Sequence, residues 1–316
     1  MKKSTILIAF VFCVTGVYAQ DLTSKKGEPI LPEAGDWAIS MDANPIFNFI
    51  GNAFKSDTSN SAPGTNWLNN NQTIIGKKFI DEKSAYRILF RIGFTSETSK
   101  MMVLDESKVG SPILFPVQPA QTEDKFSTRN TNIAIGVGKE MRRGKTRLQG
   151  FYGADAMVWI TSSGTKAKYG NIMSSTSVAS TTGSTTTTNP TSTDWYDADG
   201  DGNSTEALTS IERIVQTKSG MTFGIGVRGF IGAEYFLFPK IAISAEYGWG
   251  IGYQTTGKGK VTTEKQGGTP NAVAKIDEVT AGSSKFGFDT DINQKTIFGM
   301  RGSNTGSASL KVTFHF

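Results

Sequence analysis

The chain has 316 residues, with 35 glycines, 20 phenylalanines, one histidine and one cysteine, and a formal charge of +5. A single cysteine excludes an internal disulfide framework, and a single histidine leaves little material for the commonest general-base chemistry. The charge is scattered, with no long basic run and no nucleic-acid-binding motif, so nucleic acid is not an expected partner.

The first segment reads as an export signal. Met1-Lys2-Lys3 is basic, Ile6 to Val17 is apolar, and Val17-Tyr18-Ala19 ends in small residues. A signal peptide over 1–19, cut after Ala19, is expected; its core is too short to anchor the chain. Its loss would remove Cys13 and lower the charge by two, through Lys2 and Lys3. Residues 20–35 are polar and punctuated by proline, a lead-in to a domain over 36–316.

That domain reads as strands that alternate between an apolar and a polar face. The first spans Trp37 to Phe49, with Pro45 a weak point. A Ser/Asn/Gly-rich loop over 52–71 leads to a less distinct second strand, Gln72 to Phe79, and a turn at Asp81-Glu82-Lys83-Ser84. The third carries Tyr86, Ile88, Phe90, Ile92 and Phe94 on one face and Arg87, Arg91 and Gly93 on the other. A polar connection over 97–127 follows, then a fourth strand, Thr128 to Met141, a turn at Arg142-Arg143-Gly144-Lys145, and a fifth, Leu148 to Ile160. The longest loop is expected over 162–217.

The clearest hairpin spans Met221 to Tyr253. Met221, Phe223, Ile225, Val227, Ile231 and Tyr235 share one face, and Arg228, Glu234 and several glycines share the other, where Phe230 is an exception. Phe238-Pro239-Lys240 breaks the run, and Ile241 to Tyr253 resumes it. A loop over 257–302 precedes an eighth strand, Leu310 to Phe316. Arms of about 15 residues exceed the usual ~5–6 of soluble strands. Eight strands joined alternately by long and tight connections predict a closed antiparallel transmembrane β-barrel with long extracellular loops and paired end strands. A ten-stranded version would follow if 97–127 or 257–302 held another hairpin.

On these strands, with aromatics alternating up to Phe314 and Phe316, the chain resembles the small outer-membrane barrels of the OmpA and OmpX type. The resemblance covers about residues 36–316 in pattern rather than motif. It implies residence in the cell outer membrane, contact with its lipid, and a last strand read by the barrel-assembly machinery.

With the apolar faces turned to lipid, the inward charges would be Asp42, Arg87, Arg91, Glu140, Asp155, Arg228, Glu234, Glu246 and Lys311. Eight strands leave an interior that side chains can fill, and buried charges persist only when paired. An ion-pair network plugging a polar interior is therefore expected, with glycines admitting the large side chains; a narrow channel or small-ligand transporter is the alternative. His315, near the chain end, is far from the rim where a barrel enzyme would work, so no enzymatic role is expected.

Asp197-Ala198-Asp199-Gly200-Asp201-Gly202-Asn203 places oxygen ligands at alternate positions and glycine at the sixth, as in the first half of a calcium loop. Leu208 stands where such loops carry a bidentate glutamate, so Asp197, Asp199, Asp201 and Asn203 read either as a weak Ca2+ site or as a solvated acidic turn. The Ser/Thr-rich tract Thr161 to Thr193 reads as a mobile surface loop, beside which Trp195 and Tyr196 are candidate anchors for a partner. The sequence thus points to a structural or surface-interaction protein acting through long loops, or to an accessory subunit of a larger outer-membrane complex.

Overall fold

The computed structural model describes residues 23, 24, 27–43, 74–108, 120–173, 178–181, 184–187, 193, 195, 196, 212–267, 272–289 and 308–316. Its strands are β1 (Trp37–Asp42), β2 (Ile74–Asp81), β3 (Ser84–Leu104), β4 (Gln121–Arg143), β5 (Leu148–Lys168), β6 (Val178–Thr181), β7 (Ser184–Thr187), β8 (Glu212–Lys218), β9 (Thr222–Phe238), β10 (Ile241–Thr256), β11 (Gly259–Gly267), β12 (Ala272–Thr280), β13 (Ser283–Asp289) and β14 (Ala308–His315). There is no α-helix among the described residues, and so none long and apolar enough to cross a membrane.

The strands form an antiparallel sheet that partly closes in a ring. Pairing runs from β1 through β2, β3, β4, β5, β9, β10 and β14, and β14 returns to β1 with Ile39 opposite Phe314. Trp37 and Phe316 exchange backbone hydrogen bonds at 2.9 Å, so the expected pairing of first and last strands is present.

The remaining strands extend this ring rather than widen it. On β5, Thr161 pairs with Thr222 of β9 and Gly164 with Lys218 of β8, so β8 and β9 occupy one lane. β11 continues β10 and pairs with β8. β12 pairs with β11, β13 pairs with the end of β10, and β14 pairs with its beginning, so these three share a lane. The 257–302 segment does hold further strands, as the ten-stranded alternative required, yet the lane count stays at eight. β6 and β7 form a separate hairpin.

Four expected connections are corrected. Much of 97–127 is strand: β3 runs 21 residues and β4 runs 23, paired from Ser84↔Met141 to Leu104↔Gln121. The loop expected over 162–217 loses its ends to β5 and β8, and that expected over 257–302 contains β11, β12 and β13. The turn expected at 142–145 begins later, because Arg142 and Arg143 still belong to β4; Gly144, at φ 136°, takes the backbone where side chains are disfavoured.

The pattern of exposure inverts that of a soluble sheet. On β3, Ile88 is 53% exposed and Phe94 59%, whereas Arg87 is 1% and Arg91 5% exposed. The same holds for Ile135 and Val137 on β4, Val158 and Ile160 on β5, and Ile225 and Val227 on β9. Along β3 the run of exposed apolar residues breaks after Phe94: the next outward positions are Ser96, Thr98 and Lys100, and exposed apolar residues return only at the strand's far end, Met102 and Leu104. The ring thus carries an apolar belt on its outside, and the long strands continue past it as a polar crown.

Candidate functional site

The interior of the ring is filled in layers. At the end holding the paired termini, Ile30, Phe236 and Ala242 pack together, as do Ala38, Phe79 and Ala85. His315 sits between the rings of Phe79 and Phe236, at 5.5 and 5.1 Å between centroids. It is buried, 3.9 Å from Glu234, and has no hydrogen bond to either ring nitrogen among the described residues.

Above this layer lies a continuous ion network. Glu140 takes Lys77 at 2.9 Å, Arg142 at 3.1 Å and Arg87 at 3.3 Å. Arg142 also bridges to Glu234 and donates to Gln149 Oε1 at 3.0 Å. Glu246 takes Arg228 at 2.8 Å, Lys311 at 2.9 Å and Arg87 at 3.0 Å, while Asp155 lies 3.4 Å from Arg87 and 3.6 Å from Arg228. Each carboxylate thus meets at least two cations, as burial of charge demands.

Of the residues expected here, Arg87, Glu140, Asp155, Arg228, Glu234, Glu246 and Lys311 meet as foreseen. Arg91 is buried but forms no ion pair among the described residues, and the side chain of Asp42 lies outside them. Lys77 and Arg142 complete the set without having been foreseen. Their signal was parity: Lys77 stands two residues before buried Phe79, and Arg142 two after Glu140.

A third layer is aromatic and aliphatic. Phe230, the exception on its strand's polar face, lies under the Arg87 guanidinium at 3.8 Å and packs against Phe151. Ile75, Leu89, Ala134, Met157 and Trp159 form the next cluster. Glycine makes room as expected: a Cβ on Gly224 would stand 2.0 Å from the Trp159 ring, and one on Gly248 would stand 2.3 Å from Arg228 Nε.

The crown is pinned as well. Asp124, fully buried, accepts hydrogen bonds from Gly170 N at 2.7 Å, Thr193 N at 2.9 Å and Thr193 Oγ1 at 3.1 Å. Phe126 stacks on Trp195 and meets Tyr196 edge-on, and Tyr196 Oη lies 3.0 Å from Thr165 Oγ1. Burial raises the Tyr196 phenol above its ordinary range, and the Thr165 contact opposes that shift. Arg213 reaches Glu264 at 2.9 Å and the Asn171 carbonyl at 3.0 Å. The mobile loop expected over Thr161 to Thr193 is therefore corrected for its described residues. Strand β5 continues to Lys168, and Thr193 is clipped to β4. Trp195 and Tyr196 are half-buried and both pack on Phe126 within the chain.

Asp197, Asp199, Asp201 and Asn203, the candidate calcium ligands, lie outside the described residues. Among the described residues no three His, Cys, Asp or Glu side chains are grouped to hold a metal ion. A comparison with family models, curated proteins and solved structures finds no match.

Proposed function

We propose that this chain is an outer-membrane β-barrel whose interior is sealed by its own side chains, serving as a structural or surface-interaction protein through its crown. One observation carries the reading: the ring is apolar outside and charged inside. The exposed span from Tyr86 to Phe94 measures about 27 Å along the strand, or ~20 Å after a ~40° tilt, near the ~25 Å band of such barrels. Covering half-exposed side chains at roughly 1 kcal/mol each would gain about 5 kcal/mol on β3 alone, comparable to the whole stability of many domains.

Further support comes from aromatics at both margins of the belt, with Trp37, Tyr86, Tyr152 and Tyr235 towards the termini and Phe94, Phe223 and Tyr253 towards the crown. The ionic, aromatic and aliphatic layers favour a sealed interior over a conduit. The test is reconstitution of the folded protein into liposomes and planar bilayers. Resistance to alkaline extraction, with no steady conductance, is the expected result. A detergent-free, water-soluble monomer would overturn the membrane assignment, and a large steady conductance would overturn the seal.

A further inference from the structure

We infer that the crown-facing edge of the belt carries a binding site for the phosphorylated headgroup of an anionic membrane lipid, built from Arg129, Lys166 and Lys218 around Gly164. This rests on the membrane reading above and adds a ligand class to it.

Register puts the cations together. Gly164 on β5 pairs with Arg129 of β4 on one side and Lys218 of β8 on the other. Adjacent strands lie ~4.8 Å apart, so the two flanking Cα atoms are about 10 Å apart across a residue with no side chain. Lys166, two residues on, points to the same side and pairs with Ser127 and Gln216. Together they line an open groove of about 550 Å³, edged by the hydroxyls of Ser127, Thr131 and Ser162.

Charge accounting singles these three out. Three neighbouring lysines have acidic partners: Lys100 and Lys125 share Glu123, and Lys260 takes Asp277, whereas Lys168, farther along β5, forms no ion pair among the described residues and lies outside the groove. Among the described residues Arg129, Lys166 and Lys218 form no ion pair, although all three converge on one depression. Like charges held this close repel, and a shared anion reverses the sign of the interaction. A guanidinium with two ammoniums and flanking hydroxyls suits a phosphate in particular.

Depth selects the source of that phosphate. Phe94, where the unbroken apolar run of β3 ends, lines the groove and pairs with Thr131, which pairs with Ser162. Gly164 lies two residues farther along β5, about 5–7 Å above the edge of the belt, which is the thickness of a headgroup layer. An acyl chain would lie on the belt below while its phosphate entered the groove.

The experiment compares the full-length protein with an Arg129→Gln/Lys166→Gln/Lys218→Gln variant. Both are inserted into nanodiscs of phosphatidylcholine containing a minor fraction of phosphatidylglycerol, and retained lipid is read by native mass spectrometry. A Lys260→Gln/Lys265→Gln/Lys275→Gln variant makes the same charge change at lysines that are already ion-paired. Each basic side chain at a membrane surface contributes enough that losing three should cut phosphatidylglycerol retention at least about tenfold, with the control unchanged. Equal retention by all three proteins, or an equal loss in the control, overturns the site. Displacement of the lipid by millimolar inorganic phosphate overturns its assignment to a headgroup. Failure of the wild-type chain to enter pure phosphatidylcholine discs overturns the membrane reading itself, a separate outcome.

Discussion

Replacing Glu246 with glutamine tests whether the interior network holds the ring together. The carboxylate is 4% exposed and faces Arg228, Lys311 and Arg87, all within 3.0 Å. Glutamine keeps the volume but turns an –NH2 group towards three cations, leaving them Asp155 and Glu140 as their remaining acidic neighbours. Breaking a buried pair by removing one partner costs about 3–5 kcal/mol, a third or more of a typical total stability. The assay is urea unfolding of the refolded protein in detergent micelles, followed by fluorescence and by heat-modifiable gel mobility. Because the penalty comes from a stranded charge, Glu246→Gln/Lys311→Met should recover at least about 1 kcal/mol of the loss. A single variant within about 0.5 kcal/mol of wild type would refute the reasoning, as would a double variant weaker than the sum of its parts.

Three further outcomes are expected. Ile225→Arg, in the middle of the belt, should destabilise the protein by about 2–4 kcal/mol in bilayers, whereas Thr98→Arg in the crown should change little; equal effects would contradict the belt. Gly224→Val should block refolding by driving a methyl into the Trp159 ring, and Trp159→Ala should restore it when combined; failure of that rescue would mean that Gly224 matters for another reason. Hydrogen bonds from the Lys83 amide and the Ser84 hydroxyl hold the Asp81 carboxyl below its ordinary range. Its stabilising effect is therefore present above the ordinary carboxylate range and lost as pH falls through the depressed value. Asp81→Asn should flatten that acid limb of the unfolding midpoint, and an unchanged limb would sink the assignment.

The belt and the ring were legible in sequence because alternation is a local property: Tyr86 to Phe94 and Met221 to Tyr253 repeat every second residue. Where both faces turn polar that signal disappears. Glu97 to Lys100 and Gln121 to Lys125 are polar on both faces and Met101 to Leu104 apolar on both, so these stretches read as loop, although each is strand held by its pairing across β3 and β4. Inward aromatics hid for the opposite reason. In Met157-Val158-Trp159-Ile160 both faces are apolar, so only the parity carried up from Gln149 and Asp155 puts Ile160 with Val158 on the outside and leaves Trp159 inside. Arg142 was masked by its neighbours, since three basic residues around a glycine resemble a solvated turn. Contacts such as Asp124 with Thr193 join residues far apart in sequence and leave no local trace.

That last contact should let the crown open independently of the ring. Asp124 uses one oxygen for Gly170 and the other for Thr193, so a single buried carboxylate ties two distant points of the chain to β4. Asparagine at 124 keeps one acceptor but turns an –NH2 group towards a backbone N–H, and loses the charge that strengthened the bonds. Hydrogen bonds to charged groups contribute about 1.5–3 kcal/mol, so amide exchange at Gly170 and Thr193 should accelerate on the order of 10- to 150-fold in Asp124→Asn. The ring has its own ionic and aromatic layers, none of which involves Asp124. Amides of Ile135 and Val227, in the belt, should therefore keep wild-type protection. Unchanged exchange at residues 170 and 193 would remove Asp124 as the clip. Equal loosening at 135 and 227 would mean that crown and ring unfold as one unit, and a crown that cannot open alone is poorly placed to adapt to a partner at the surface.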